Sequence, residues 1–168
     1  MKRAQAAIGT AIFFFVAPGI IAGAIPWGIT NWRLPDPLPL AGLPALLGVI
    51  LLLPGLWVLI DSFARFARNL GTPAPIAPPE RLVVDGWYRY VRNPMYVSVL
   101  AIILGQALLF ASWPVLVYAA VVFVIVHLFV TNYEEPTLRE QFPDDYASYF
   151  ENVPRWVPRL RPWQRAGA

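Results

Sequence analysis

The chain has no cysteine and one histidine, His127. Without cysteine there is no disulfide, no thiolate metal site and no thiol nucleophile. One histidine rules out a multi-histidine metal centre. Charge is also scarce, at 14% of 168 residues, where a soluble domain carries about 25%. So little charge cannot cover a water-facing surface. A disordered chain, a secreted disulfide scaffold and an ordinary cytosolic enzyme are excluded. Hydrophobic residues are abundant, at 58%, and so is proline, at 18 residues. The length suits one domain over 1–168, and the apolar balance suits a membrane-embedded one.

A transmembrane helix needs about 20 mostly apolar residues. Four runs reach or approach that length: 6–29, 38–60, the shorter 95–110, and 113–133. None has Lys, Arg, Asp or Glu in its interior. The first could be read as a signal peptide, with Lys2 and Arg3 as its basic region and Ala22-Gly23-Ala24 as a cleavage site. Its apolar run is longer than a signal core, which favours a retained helix, and Gly19 and Gly23 suit close helix packing in lipid. With four spans and a cytoplasmic N-terminus, only Arg33 of the 13 basic residues and Asp36 of the 10 acidic ones lie outside. That one-sidedness sets the orientation. Both termini are then expected in the cytoplasm, as for a bacterial inner-membrane protein. The net charge of +3 serves topology and anionic lipid heads, and calls for no nucleic-acid partner.

The inner side holds two segments, 61–94 and 134–168. The first starts as a basic helical extension, Ser62 to Asn69, then turns extended through the Gly- and Pro-rich stretch 71–79. In the second, Pro136 suits the first turn of a new helix, and Pro143-Asp144-Asp145 is a helix-start signal before the short stretch Tyr146 to Glu151. The turn at Ala111-Ser112-Trp113-Pro114 is tight. The expected fold is therefore an all-α integral membrane protein. It has about four transmembrane helices, a C-terminal antiparallel helical hairpin and a cytosolic, proline-shaped cofactor-binding cap.

Two polar clusters flank that hairpin. One runs from Gly86 to Tyr96, with Arg92, Asn93 and Tyr96 at its end. The other is Tyr133-Glu134-Glu135-Pro136. Tyr96 and Glu134 lie at similar distances from the hairpin turn, so antiparallel helices bring them to one depth. Each residue also has a plainer reading. Arg92 and Tyr96 could be interface anchors, and the glutamates a solvated helix end. Acids at a helix C-terminus oppose the macrodipole, however, which calls for a cationic partner. His127 could orient a substrate or pack between helices, and by helical count it shares a face with Glu134. Gln106 reads as a helix-to-helix hydrogen bond, and Ala101 and Gly105 as a packing face. Asp61 is expected to pair with Arg65 one turn on.

The run Arg92-Asn93-Pro94-Met95-Tyr96, followed by Glu134-Glu135, resembles the RHPxY…EE signature of the isoprenylcysteine carboxyl methyltransferases and related membrane phospholipid methyltransferases. The lead-in from Leu82 to Tyr90 is similar to the family's LVxxGxYxY. The tail from Phe142 to Pro154 resembles its FGxxYxxYxxxVP. The resemblance implies an integral membrane enzyme that transfers a methyl group from S-adenosylmethionine to a lipophilic or lipid acceptor. It implies a cofactor site from Arg81, Leu82, Val83, Tyr88, Arg92, Asn93, Pro94, Met95, Tyr96, Glu134 and Glu135. Arg92, Asn93, Tyr96 and Glu134 are its implied catalytic residues.

Three positions depart from the family pattern. Asn93 replaces the usual histidine and cannot titrate. Ser98 replaces a glycine. Val130 stands where the prenylcysteine enzymes carry an arginine that holds the substrate carboxylate. His127 and Val130 are thus the candidate substrate positions, and a lipid acceptor fits better than a prenylcysteine. No metal is expected, and the sequence specifies no oligomeric state. The alternative is a non-enzymatic four-helix membrane protein, such as a small transporter or an assembly partner. Small ion-coupled exporters carry a carboxylate inside a span, and none lies inside these.

Overall fold

A computed structural model describes residues 12–13, 15–35, 42–68 and 82–164, with 66 and 67 described in backbone only. Lys2, Arg3, the segment 71–79, Arg81 and the starts of the first two apolar runs lie outside the described residues. Helix α1, Phe15–Thr30, contains a π turn at Ile20–Ala24 and ends at Asn31, which is left-handed with φ 50. Helix α2 is Leu43–Arg68. A 3-10 turn, Gly86–Arg89, leads into α3, Pro94–Leu109. Helix α4, Trp113–Phe129, continues through a second π turn, Val130–Glu134, into α5, Glu135–Gln141. Helix α6 is Pro143–Asn152. Helices α3 to α6 each start with proline in the first turn. There its missing N–H costs nothing and its fixed φ is already helical. These four of the 18 prolines therefore start helices.

Two described helices are long and apolar enough to cross a membrane, Leu43–Arg65 and Trp113–Gln141. The four expected spans are corrected to these two. Helix α3 has the expected boundaries to within one residue, but its 16 residues rise only about 24 Å. A bilayer core is about 30 Å thick. Pro94 starts α3, and Ala111, at φ 46, turns the chain just past its end. The described part of α1, Phe15–Thr30, is also too short. The fourth run errs in the other direction, because its helix continues past the glutamates. In both long helices only 22% of the apolar window is buried. Such an outward apolar surface associates the chain with a membrane.

The expected C-terminal hairpin is corrected as well. Helix α3 packs most extensively on α2, not on α4. The reason is backbone proximity. A Cβ on Gly105 would lie 2.7 Å from the Gly48 carbonyl oxygen, and one on Gly48 would lie 2.8 Å from that of Gly105. Gly55 fits against Ser98, Ala101 and Ile102 in the same seam. By contrast, nothing described lies within 4 Å of a Cβ on Gly23. The main apolar core lies between these helices, around Leu59, Ile103, Val115 and Ala119.

Gln106 is the expected helix-to-helix connector. Its buried Nε2 donates to the Ala22 carbonyl at 2.7 Å, and its Oε1 accepts from Trp32 Nε1 at 3.1 Å. The Tyr118 hydroxyl donates to the Ile21 carbonyl at 2.9 Å. Both carbonyls belong to the π turn of α1, where the altered ladder leaves backbone oxygens for side chains to satisfy.

The expected cytosolic cofactor-binding cap is not found among the described residues. The tail lies beside residues 82–93. A second apolar cluster forms there from Tyr146, Tyr149 and Val153, with Leu82, Val84 and Trp163 packed against it. The groove along α5 is open, with a volume of about 290 Å3, and is lined by Glu135, Pro136, Arg139 and Glu140.

Candidate functional site

The polar residues gather where α2 ends, α3 begins and α4 passes into α5. Arg65, in the last part of α2, fixes the approach. Its Nε donates to Asp61 Oδ2 at 2.7 Å and its Nη1 to Asp85 Oδ2 at 3.0 Å. The Asp61 pair is the expected one. Gly86 next to it has φ +55, and a Cβ there would collide with the Arg65 guanidinium. Only glycine meets both conditions at once.

The lead-in packs onto the tail. Val83 and Tyr88 are buried, and the Tyr149 hydroxyl donates to the Tyr88 carbonyl at 2.7 Å. Burial raises the hydroxyl pKa of Tyr88 and Tyr149, and pushes that of Tyr146 up to about 12. All three stay neutral at physiological pH, so Tyr149 remains a donor. Pro94 is fully buried at the first position of α3, and Met95 packs on the main core.

Tyr96 and Glu134, expected at a similar depth, do meet. The Tyr96 hydroxyl donates to Glu134 Oε2 at 2.8 Å. The next residue, Glu135, is buried and doubly clamped. Arg155 Nε and Nη2 donate to its two oxygens at 2.7 and 2.8 Å, a bidentate pair. Arg92 Nη2 lies 3.3 Å from its Oε1. That carboxylate holds the Arg155 guanidinium above its usual pKa. Two arginines and two glutamates thus balance within one cluster. The glutamates lie within a continuing helix, so the macrodipole cost expected at a helix end does not arise, while the cationic partner it called for is present.

Arg92 has only 9% of its side chain exposed. Its guanidinium lies over the Phe150 ring at 4.0 Å. Its Nε and Nη1 are buried with no hydrogen-bond partner among the described residues. Two buried cationic donors without an acceptor are a costly arrangement, and one that suits an anionic ligand.

The tail also stitches the motif. Arg92 N–H donates to the Pro154 carbonyl at 2.9 Å, and Asn93 Nδ2 donates to the Arg155 carbonyl at 3.2 Å. His127 Nδ1 accepts from Trp156 Nε1 at 3.1 Å. The π turn between His127 and Glu134 breaks the 3.6-residue count that set them on one face. In the structure His127 serves the tail, and Glu134 serves Tyr96. Val130 is fully buried, at 0% exposure.

Arg155, Trp156 and Phe150 were not singled out from the sequence. The charge argument called for a cation near the glutamates, but nothing local marks Arg155, twenty positions from Glu135, as that cation.

Residues 43–145, more than half of the chain, match the model of a family described as phospholipid methyltransferase. No curated protein matches the chain. The matched stretch contains Arg92, Tyr96, Glu134 and Glu135. It ends within α6, before Arg155 and Trp156.

Proposed function

The chain belongs to the phospholipid methyltransferase family; on that premise it is a methyltransferase, and we propose that it methylates a lipid acceptor at a membrane, using S-adenosylmethionine bound at Arg92, Tyr96 and Glu134. The observation that carries this reading is the pairing of a part-buried Tyr96–Glu134 hydrogen bond with the orphaned donors of Arg92.

These residues fit the methyl donor, which has an ammonium, a carboxylate and a sulfonium. Arg92 Nε and Nη1 would hold the carboxylate, satisfying donors that are otherwise stranded. Glu134, oriented by the Tyr96 hydroxyl, would hold the ammonium. Tyrosine faces attract a sulfonium as they attract other cations. Asn93, Pro94 and Met95 form the turn that carries Arg92 and Tyr96, with Leu82, Val83 and Tyr88 as the packed wall beside it. Arg81, which the family resemblance adds to this set, lies outside the described residues. Glu135 is already engaged by two arginines, so its part is to fix Arg92.

When bound, the donor supplies an activated methyl group and its leaving group. The protein's part is alignment and the exclusion of water. Asn93 cannot move a proton as an imidazole would. An anionic or free amine acceptor needs no strong base. Buried and uncharged, Val130 offers nothing to a prenylcysteine carboxylate, which favours a lipid with another head group.

The test is transfer of a labelled methyl group by the reconstituted full chain, read in the lipid extract. Glu134→Gln keeps the shape but removes the charge, and is expected to lower labelling about 10²-fold. Tyr96→Phe, which releases Glu134, is expected to lower it less. Undiminished labelling in Glu134→Gln would remove this site from the proposal.

A further inference from the structure

The tail past the clamp has a feature that methyl transfer does not use. Between Trp156 and Trp163 the chain bulges outward. Leu160 is 99% exposed and Val157 73%, although neither lies in a long apolar helix. Both ends of the bulge are pinned. Trp156 is bound to His127 and meets Phe123 edge-on, with centroids 5.5 Å apart. Trp163 N–H donates to the Arg89 carbonyl at 2.8 Å, and Arg89 Nε donates back to the Trp163 carbonyl at 2.7 Å. Within the bulge, Arg159 N–H donates to the Tyr90 carbonyl at 2.9 Å, and its Nη1 to the Asn152 carbonyl at 2.7 Å. The bulge is therefore held in shape, and its apolar tip is a fixed feature.

Its position says what the tip meets. Phe123 belongs to α4, whose neighbouring Val124, Ile125 and Leu128 are exposed apolar residues of a membrane-length helix. Trp156 is docked on that helix through Phe123 and His127, so the segment that follows leaves from beside its exposed apolar residues. Arg159 and Arg161 bracket Leu160, and Arg161 is exposed. An apolar tip between two arginines matches the acyl boundary below and anionic phosphates above. We infer that residues 157–161 form a membrane-surface anchor, with Val157 and Leu160 inserted and Arg159 and Arg161 bound to anionic lipid heads. This anchor stands whether or not the methyl-donor site is as described above.

The absence of cysteine makes the test clean. Leu160→Cys places one spin label on a fully exposed side chain of the full chain. Its depth is read by the relative accessibility to oxygen and to a water-soluble nickel complex. Vesicles of phosphatidylcholine alone are compared with vesicles that also contain phosphatidylglycerol. The expected result is an immersed label in the anionic vesicles. Arg161→Gln should shift the label's partition towards water about fivefold there, and Arg159→Gln by a similar factor. A label in water in the anionic vesicles, as for a tip that binds another protein, would overturn the anchor. So would immersion that needs neither phosphatidylglycerol nor the arginines.

Discussion

Glu135→Ala is expected to destabilise the protein by about 3–5 kcal/mol, the usual cost of removing one partner from a buried ion pair. It should also abolish methyl transfer. Glu135 has only 10% of its side chain exposed and is shared by Arg92 and Arg155, at 9% and 29%. Its loss leaves two cations together with no carboxylate between them. Arg92 would then have no ion-pair partner among the described residues, and the tail would lose its bidentate tie to α5. The remaining stitches, Arg92 N–H to Pro154 and Asn93 Nδ2 to Arg155, depend on the tail staying in place. Thermal unfolding in detergent measures the first effect. Glu135→Gln, which keeps an acceptor, should fall in between. A loss below about 1 kcal/mol would mean that the clamp behaves like an exposed surface pair.

Gly105→Ala is expected to be the most damaging single-methyl change, at about 3 kcal/mol. The added carbon would meet the Gly48 carbonyl oxygen at 2.7 Å and Leu52 backbone nitrogen at 3.0 Å. These are backbone atoms of a neighbouring helix, so no side chain can swing aside. Helices α2 and α3 would have to separate along the seam that positions Arg65, Asp85 and the start of α3. The control is Gly23→Ala, where the new carbon meets nothing described within 4 Å. That change should be neutral or slightly stabilising, because alanine is the better helix former. Equal unfolding midpoints for the two variants would show that the seam does not set the helix spacing.

Much of this arrangement was legible because it is local or periodic. The run 95–110 falls within one residue of α3, and Pro143-Asp144-Asp145 does start a helix. The Asp61–Arg65 pair and the meeting of Tyr96 with Glu134 follow from helical rise and register. The span count failed because hydropathy registers an apolar run but not the rise of the helix within it. Helix α3 carries no charged residue and is still too short. The π turn at 130–134 has no periodic signature, since a single inserted residue disturbs a short window little. It changes the helical count between His127 and Glu134. The partners of Glu135 and His127 come from Arg155 and Trp156 in the tail, and such long-range pairing leaves no local trace. Arg92 could be named from the motif, but its two stranded donors could be seen only once the chain was folded.

Arg92 and Glu134 together are expected to hold the methyl donor. Titration calorimetry of S-adenosylmethionine into the detergent-purified full chain tests it most directly. Charge-assisted hydrogen bonds contribute about 1.5–3 kcal/mol, so Arg92→Ala and Glu134→Gln should each weaken binding about tenfold or more. Leu160→Cys, at a fully exposed side chain outside the proposed site, should bind as the native chain does. Equal affinity in all of these proteins would contradict the claim and place the donor elsewhere.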